Sequence, residues 1–211
     1  MEENKKRTRI QIRNEKLLLE AAEKIFASFG YHGATLEKVA AMADMSQPNL
    51  HHYFRTKLDL YTAVLAKTLD IWLAPLDSMD GEGDPEIELR RYIACKMELA
   101  RVRPDASRIF TSEMLTGAPL IGTALQTRLK TTVDGSVRVI RRWVEEKKMI
   151  AVDPYHLLFM IWAATQHYSD FQPQIKSVMG KSRLTKADFA AAEESVSGII
   201  LRGVCLTADV I

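Results

Sequence analysis

The stretch FGYHGATLEKVAAMADMSQPNLHHYFRTK, residues 29–57, decides the fold of the N-terminal part of the chain. Thr35 and Ser46 are typical helix N-caps, and each precedes a short run whose apolar residues recur with the period of a helix. Asp44 lies between the two runs, and aspartate tolerates the left-handed backbone that a tight turn needs. A longer helical pattern precedes the stretch and stops at Gly30, a favoured C-terminal residue. The pattern therefore predicts a helix-turn-helix on a supporting helix.

The second short helix of this motif carries the polar side chains best suited to contact DNA. Leu50 and Phe54 are four positions apart, so both face inward and leave the polar residues outside or on the flanks. Asparagine and glutamine can pair bidentately with adenine, and we expect base contacts from Gln47, Asn49 and the neighbouring His51. With the N-cap included, the residues of this helix that are predicted to contact DNA are Ser46, Gln47, Pro48, Asn49, His51 and His52.

Phosphate contacts are expected from the rim of the motif, at Thr35, Tyr53 and Lys57. A basic N-terminal arm adds Lys5, Lys6, Arg7 and Arg9. Residues 1–58 carry ten basic and seven acidic side chains, a net charge of +3, whereas the whole chain carries +2. This asymmetry favours a polyanionic partner for the N-terminus. A small helical bundle with a merely polar face would show the same pattern, so both interpretations stay open on these residues alone.

The remainder of the chain also follows a helical pattern, without sustained alternation typical of strands. Predicted N-caps are Thr56, Asp84, Asp153 and Thr185, and the helix that begins at Asp153 is expected to run to about Val178. We predict an all-α fold of about nine helices. A three-helix DNA-binding domain with its basic arm would occupy residues 1–56, and a larger ligand-binding and dimerisation domain residues 57–211.

Composition and motifs argue against catalysis and against a resident cofactor. The chain is 47% hydrophobic and 27% charged, which is ordinary for a globular protein. It has no nucleophile elbow, P-loop or zinc-protease motif, and its histidines and its two cysteines, Cys95 and Cys205, have no metal-ligand spacing. We therefore expect no catalytic residue, no metal and no cofactor. The charged N-terminus and the short apolar runs predict a cytoplasmic protein with no membrane partner.

Three segments, residues 29–36, 43–46 and 50–57, resemble the signature of the TetR family of transcriptional regulators. The resemblance spans about residues 12–60 and implies a homodimer that binds a palindromic operator in double-stranded DNA. It also implies phosphate contacts from Thr35, Tyr53 and Lys57 and base contacts from Gln47 and Asn49. The chain departs from the signature at Asp44, where glycine is common, and at Pro48 and His52. These departures affect the operator sequence rather than the ability to bind DNA.

The C-terminal half resembles one branch of this family, the regulators of pyrimidine utilisation. The similar segments are residues 71–76, 106–110, 113–115, 117–119, 153–154, 159–163 and 165–168. The resemblance implies an effector such as uracil or thymine and a role, as a repressor, in pyrimidine catabolism or nitrogen metabolism.

By the same resemblance, Trp72 and Gln166 are expected to contact the effector. A glutamine amide offers a donor and an acceptor that match an imide edge, and a tryptophan offers a flat face to a ring. A core tryptophan and a glutamine bonded to neighbouring backbone are the alternatives. Weaker candidates are Tyr168, Thr165, Arg108 and Phe110.

The last two predicted helices, residues 154–178 and 185–207, are expected to form a four-helix bundle across the dimer axis. Two other functions remain open on the sequence. One is a regulator of this type with an unrelated ligand, and the other is a helical protein that acts through protein partners.

Overall fold

The computed structural model describes residues 8–206, which form helices joined by short connections. The helices are α1 (Arg9–Gly33), α2 (Leu36–Met42), α3 (Gln47–Tyr53), α4 (Lys57–Asp77), α5 (Pro85–Val102), α6 (Pro104–Leu115), α7 (Gly122–Ala124), α8 (Lys130–Glu145), α9 (Pro154–Asp170), α10 (Gln172–Met179) and α11 (Lys186–Val204). A π-helical turn, Leu125–Leu129, joins α7 to α8, so that the three segments form one continuous helix. Over residues 8–206 the only β-type pairing is an isolated bridge between Met149 and Cys205. The all-α prediction is confirmed. Nine helices were predicted, and residues 8–206 contain ten when α7, the π-helical turn and α8 are counted as one.

Side-chain caps begin most of the longer helices, as the sequence predicts. The Thr35 hydroxyl accepts a hydrogen bond from the Lys38 N–H at 3.2 Å, and the Ser46 hydroxyl accepts one from the Asn49 N–H at 3.3 Å. Each cap satisfies an N–H that the helix itself leaves without a partner. The confirmed N-caps are Thr35, Ser46, Thr56, Asp84, Asp153 and Thr185.

The prediction of one helix over residues 154–178 is wrong. Phe171 separates α9 from α10 with φ −114° and ψ 28°, outside the helical range. Pro173 is the cause, because it has no N–H to donate to the Ser169 carbonyl and its ring would clash with that carbonyl in a continuous helix. The chain therefore turns before α10.

Two left-handed residues shape the N-terminal motif. Gly30 has φ 66° and ends the regular part of α1, and Asp44 has φ 53° in the turn between α2 and α3. Glycine has no Cβ to strain this conformation, and aspartate is among the residues that tolerate it best. Phe29, near the end of α1, is 50% exposed, whereas Phe26 is buried in the core. The aromatic ring of Phe29 lies under the Lys38 ammonium.

One apolar core runs through the described residues, and α4 connects its two ends. Near its start α4 packs on α1, where the Tyr61 and Phe26 rings meet edge to face at 4.9 Å. Further along it packs on α5, α6 and α8, and α5 in turn packs on α9 and α11. Helix α6 also packs on α1 and so forms a second connection between the two ends of the core. Within residues 8–206, no helix is both long enough and apolar enough to cross a bilayer.

Candidate functional site

Helix α3 presents its polar residues outward, above two buried anchors. Leu50 is fully buried and Phe54 is 6% exposed, so the opposite side of the helix faces solvent. Asn49 is half-buried, and together with His52 and Tyr53 it lines a groove that Gln11 and Glu15 of α1 complete. The exposed residues of the helix and its cap are Ser46, Gln47, Pro48, His51 and His52. This is the arrangement of a recognition helix in a helix-turn-helix motif.

The residues predicted to contact phosphate lie on two sides of α3. Thr35 is exposed at the start of α2. Near it, the half-buried Lys57 donates from its Nζ to the Ala34 carbonyl at 3.1 Å and to the His32 carbonyl at 3.4 Å. Tyr53 lies on the other side, in the groove beside α1. The basic arm falls at residues 1–7, outside the described residues, except for Arg9 at the start of α1.

A second site is a cavity of about 70 Å³ where α4, α5, α6 and α9 meet. Three of the predicted ligand residues line it: Trp72, Phe110 and Gln166. The Trp72 and Phe110 rings touch edge to face, with their centroids 4.8 Å apart. The other lining residues are Leu69, Leu73, Leu76, Tyr92, Lys96, Leu129 and Trp162.

A chain of hydrogen bonds orients the Gln166 amide. The Thr111 hydroxyl donates to the Asp170 carboxylate at 2.7 Å, because an ionised carboxylate can only accept. Thr111 has then used its proton, so its oxygen accepts from Gln166 Nε2, at 3.5 Å. The amide oxygen of Gln166 and its second N–H have no other partner among the described residues. The Gln166 side chain therefore offers one free acceptor and one free donor at the cavity wall.

Sequence reasoning missed the four leucines of the cavity wall and also its three polar or aromatic residues Tyr92, Lys96 and Trp162. Lys96 is only 6% exposed, and its Nζ lies 4.6 Å from the centre of the Trp72 ring. Burial lowers the pKa of Lys96 to about 8, although the negative charge of Asp170 acts in the opposite direction. A signal was present, since Lys96 falls three residues after Ile93 and therefore on the apolar face of α5.

The structure does not bring the other three predicted ligand residues to this cavity. Thr165 is fully buried, and its hydroxyl donates to the Ile161 carbonyl at 2.8 Å. Tyr168 lines a separate pocket formed with α10 and α11. Along a helix, each residue points about 100° away from the one before it. Side chains at positions next to Gln166 therefore do not point into the cavity. Arg108 lies on the surface, 3.3 Å from Asp105.

An exposed recognition helix, joined through α4 to a small cavity, defines the class of one-component transcriptional regulators. Family comparisons agree. A model described as "Bacterial regulatory proteins, tetR family" matches residues 18–64, and one described as "YcdC-like protein, C-terminal region" matches residues 65–207. The chain belongs to the TetR family. It is a DNA-binding regulator rather than an enzyme, as predicted, and regulators of this family act as dimers that bind operator DNA and small-molecule effectors.

Similar proteins include the "HTH-type transcriptional regulator RutR" of Escherichia coli strain K12. It is 43% identical over 199 residues, which cover 94% of each chain. Among solved structures, a TetR-family regulator from Marinobacter aquaeolei VT8 aligns with a TM-score of 0.72 at 17% identity and covers 95% of this chain and 100% of its own. The ketosteroid transcriptional regulator KstR2 of Mycobacterium tuberculosis aligns with a TM-score of 0.68 at 19% identity, over 92% of this chain and 95% of its own. These two structures support the fold.

Proposed function

We propose that this protein is a repressor of pyrimidine catabolism that senses uracil, thymine or a related planar base. The observation that carries the proposal is the pairing of Trp72 and Gln166 in one small cavity. The resemblance of the C-terminal half to pyrimidine-sensing regulators, and the 43% identity to RutR, support it.

The size of the cavity favours a single small ring. One water needs about 10–15 Å³ of cavity volume, so a cavity of about 70 Å³ has room for a few waters or for one six-membered ring. A ligand of steroid size, such as the name of KstR2 indicates for that protein, would require a much larger space. Since the same fold has other effectors elsewhere, an unrelated ligand remains the second candidate, and the volume of the cavity favours molecules of similar size.

The polar groups favour an imide edge. With the amide oriented by Thr111, Gln166 offers one acceptor and one donor side by side. A ring N–H next to a ring carbonyl satisfies both groups, and a face of Trp72 can cover the ring. An apolar ligand would leave the Gln166 amide buried without a partner, at a cost of about 1–3 kcal/mol.

DNA contact by α3 and its rim is the second part of the proposal. Gln47, Asn49 and His51 would read base edges in the major groove, with Ser46, Pro48 and His52 beside them. Thr35, Tyr53 and Lys57 would contact phosphates. In a dimer the two α3 helices must lie about 34 Å apart to meet successive turns of a palindromic operator.

The effector would change that spacing through the two connections between cavity and DNA-binding motif. Trp72 is near the end of α4, whose first residue is Lys57. Phe110 is on α6, which packs on α1. A ligand that separates the Trp72 and Phe110 rings therefore acts on both connections, and we expect it to weaken operator binding by a coupling of about 1–3 kcal/mol.

Dimerisation is proposed through α9 and α11. Both helices leave large apolar side chains in solvent, with Phe159 at 49%, Met160 at 59% and Ile199 at 66% exposure. Helices of this kind can pair across a two-fold axis as a four-helix bundle, and burial of these side chains would favour the dimer.

A thermal-shift panel tests the ligand assignment. The purified dimer is melted with uracil, thymine, dihydrouracil, purines and small aromatic acids, because a ligand that binds only the folded state raises the melting temperature. We expect uracil or thymine to stabilise the wild type and the exposed control Gln126→Ala, but not Gln166→Ala. Stabilisation by a non-pyrimidine alone would retain the regulator and reject the pyrimidine assignment.

A further inference from the structure

The wall of the cavity contains two hydrogen-bond donors that have no acceptor in the described part of the chain. Lys96 Nζ makes no hydrogen bond or ion pair there, and its contacts are the face of Trp72 and the charge of Asp170. The Asp170 oxygens instead accept from the hydroxyls of Ser107 and Thr111. Burial removes most of the Lys96 side chain from water, and its Nζ opens onto the cavity, where a ligand oxygen can reach it.

Tyr92 is the second donor. Its hydroxyl oxygen accepts a hydrogen bond from Trp162 Nε1 at 2.6 Å, and an indole N–H can only donate. The proton of the Tyr92 hydroxyl is therefore unused, and the side chain lines the cavity next to Lys96, four residues further along α5. One helical turn places the two side chains on the same face of the helix.

We propose that Lys96 and Tyr92 form the oxygen-binding end of the effector site and donate hydrogen bonds to a carbonyl oxygen of the pyrimidine ring. This inference rests on the proposed function and extends it. The Gln166 amide takes one N–H and one carbonyl of the ring, and the two donors on α5 take a further oxygen. A ring with two carbonyls that flank an N–H satisfies every one of these groups, which selects uracil and thymine over bases with fewer oxygens.

A cation at this position makes binding dependent on pH. The groups that face Lys96 are Trp72 from α4, Ser107 from α6, and Gln166, Ser169 and Asp170 from α9, and Asp170 is the only acid among them. An effector oxygen stabilises the charged lysine, so the pKa of Lys96 is higher in the complex than the value of about 8 in the free protein. Affinity is then highest below pH 8 and falls above it, by up to about tenfold between pH 7 and pH 9.

Calorimetric titration of the full-length dimer with uracil tests this inference, with Lys96→Met as the main variant. Methionine keeps the apolar stem but removes the charge and the donors. We expect uracil affinity to fall about 10- to 100-fold, the range for a lost hydrogen bond to a charged group. The ligand-free variant should melt at a higher temperature than the wild type, because a desolvated cation has been removed. A lysine with a purely structural role would show the opposite change in stability.

Two further measurements identify the atom and the charge. Replacing the oxygen that contacts Lys96 by sulfur, in either 2-thiouracil or 4-thiouracil, should lower affinity for the wild-type protein relative to uracil. Lys96→Met should bind that analogue and uracil with similar affinity. The decline in affinity from pH 7 to pH 9 should be steeper in the wild type than in the variant, in which only the ionisation of uracil itself remains. Tyr92→Phe, which keeps the ring, should weaken binding by about two- to tenfold without changing the pH profile.

The outcomes are distinct. Wild-type affinity for uracil in Lys96→Met, together with the same pH profile, would overturn the inference while leaving the proposed function in place, because Gln166→Ala would still abolish binding. Absence of uracil binding by the wild type would overturn both.

Discussion

The ion pair between Glu23 of α1 and Arg103 at the junction of α5 and α6 ties the DNA-binding motif to the cavity domain. Their side chains are 15% and 20% exposed, between a surface pair and a fully buried one. Loss of a surface pair costs about 0–1 kcal/mol, and loss of one partner of a buried pair costs about 3–5 kcal/mol. We therefore expect Glu23→Met or Arg103→Met alone to lower the free energy of unfolding by about 2 kcal/mol. For a chain of this length that is a fall of about 4–8 °C in Tm.

The double variant is the informative one, because it leaves neither charge without a partner. We expect its stability to lie within about 1–2 kcal/mol of the wild type rather than at the sum of the two single losses. The coupling energy would then be about 2–3 kcal/mol, at the upper end of the range for residues in contact. Chemical denaturation of the four proteins at one ionic strength gives this cycle directly.

The same double variant tests the path from ligand to DNA. It should bind uracil and operator DNA with the affinities of the wild type, since neither residue lies in the cavity or on α3. If α6 and α1 carry part of the signal, the change in operator affinity caused by uracil should shrink. Fluorescence anisotropy on an operator selected from a random DNA pool, with and without uracil, measures it. Additive stabilities and an unchanged effect of uracil would refute the argument and leave α4 as the only connection.

Three further predictions follow from single side chains. Asn49→Ala should lower affinity for the selected operator by about 1–3 kcal/mol while retaining salt-dependent binding to other DNA, measured by competition. Thr111→Val should weaken uracil binding by about two- to fivefold, because the hydrogen bond of 3.5 Å to Gln166 is long and of the weaker kind, and Thr111→Ser should restore it. Ile199→Glu should shift the dimer toward monomer in sedimentation velocity, without loss of helix content; an unchanged dimer would place the interface elsewhere.

Local chemistry made much of the fold predictable from the sequence. An N-cap such as Ser46 or Thr185 acts on the helix that follows within three residues, and the turn at Asp44 depends on that residue's own backbone preference. The break at Phe171 belongs to the same category, since Pro173 was visible in the sequence.

The cavity was harder to predict because its members come from four helices. Successive side chains of a helix point about 100° apart, so the packing of α9 on α5 and α6 decides whether Gln166 or its neighbour Thr165 faces the cavity. Lys96 was detectable as a charge on an apolar face, but a lysine in such a place can also extend to solvent. Only its position under Trp72, without an acceptor, separates the two cases.

The position of the cavity has one more consequence, which follows from thermodynamic linkage. Trp72 and Phe110 touch each other, and the helices that carry them, α4 and α6, both pack on α1. A ligand that lowers operator affinity by some factor must itself bind less tightly to the operator-bound dimer by the same factor. The ring contact would then be intact in the DNA-bound form and open in the ligand-bound form. Trp72→Phe, which shortens one side of that contact, should therefore reduce this common factor, and an unchanged factor would show that the two sites are not linked through this pair.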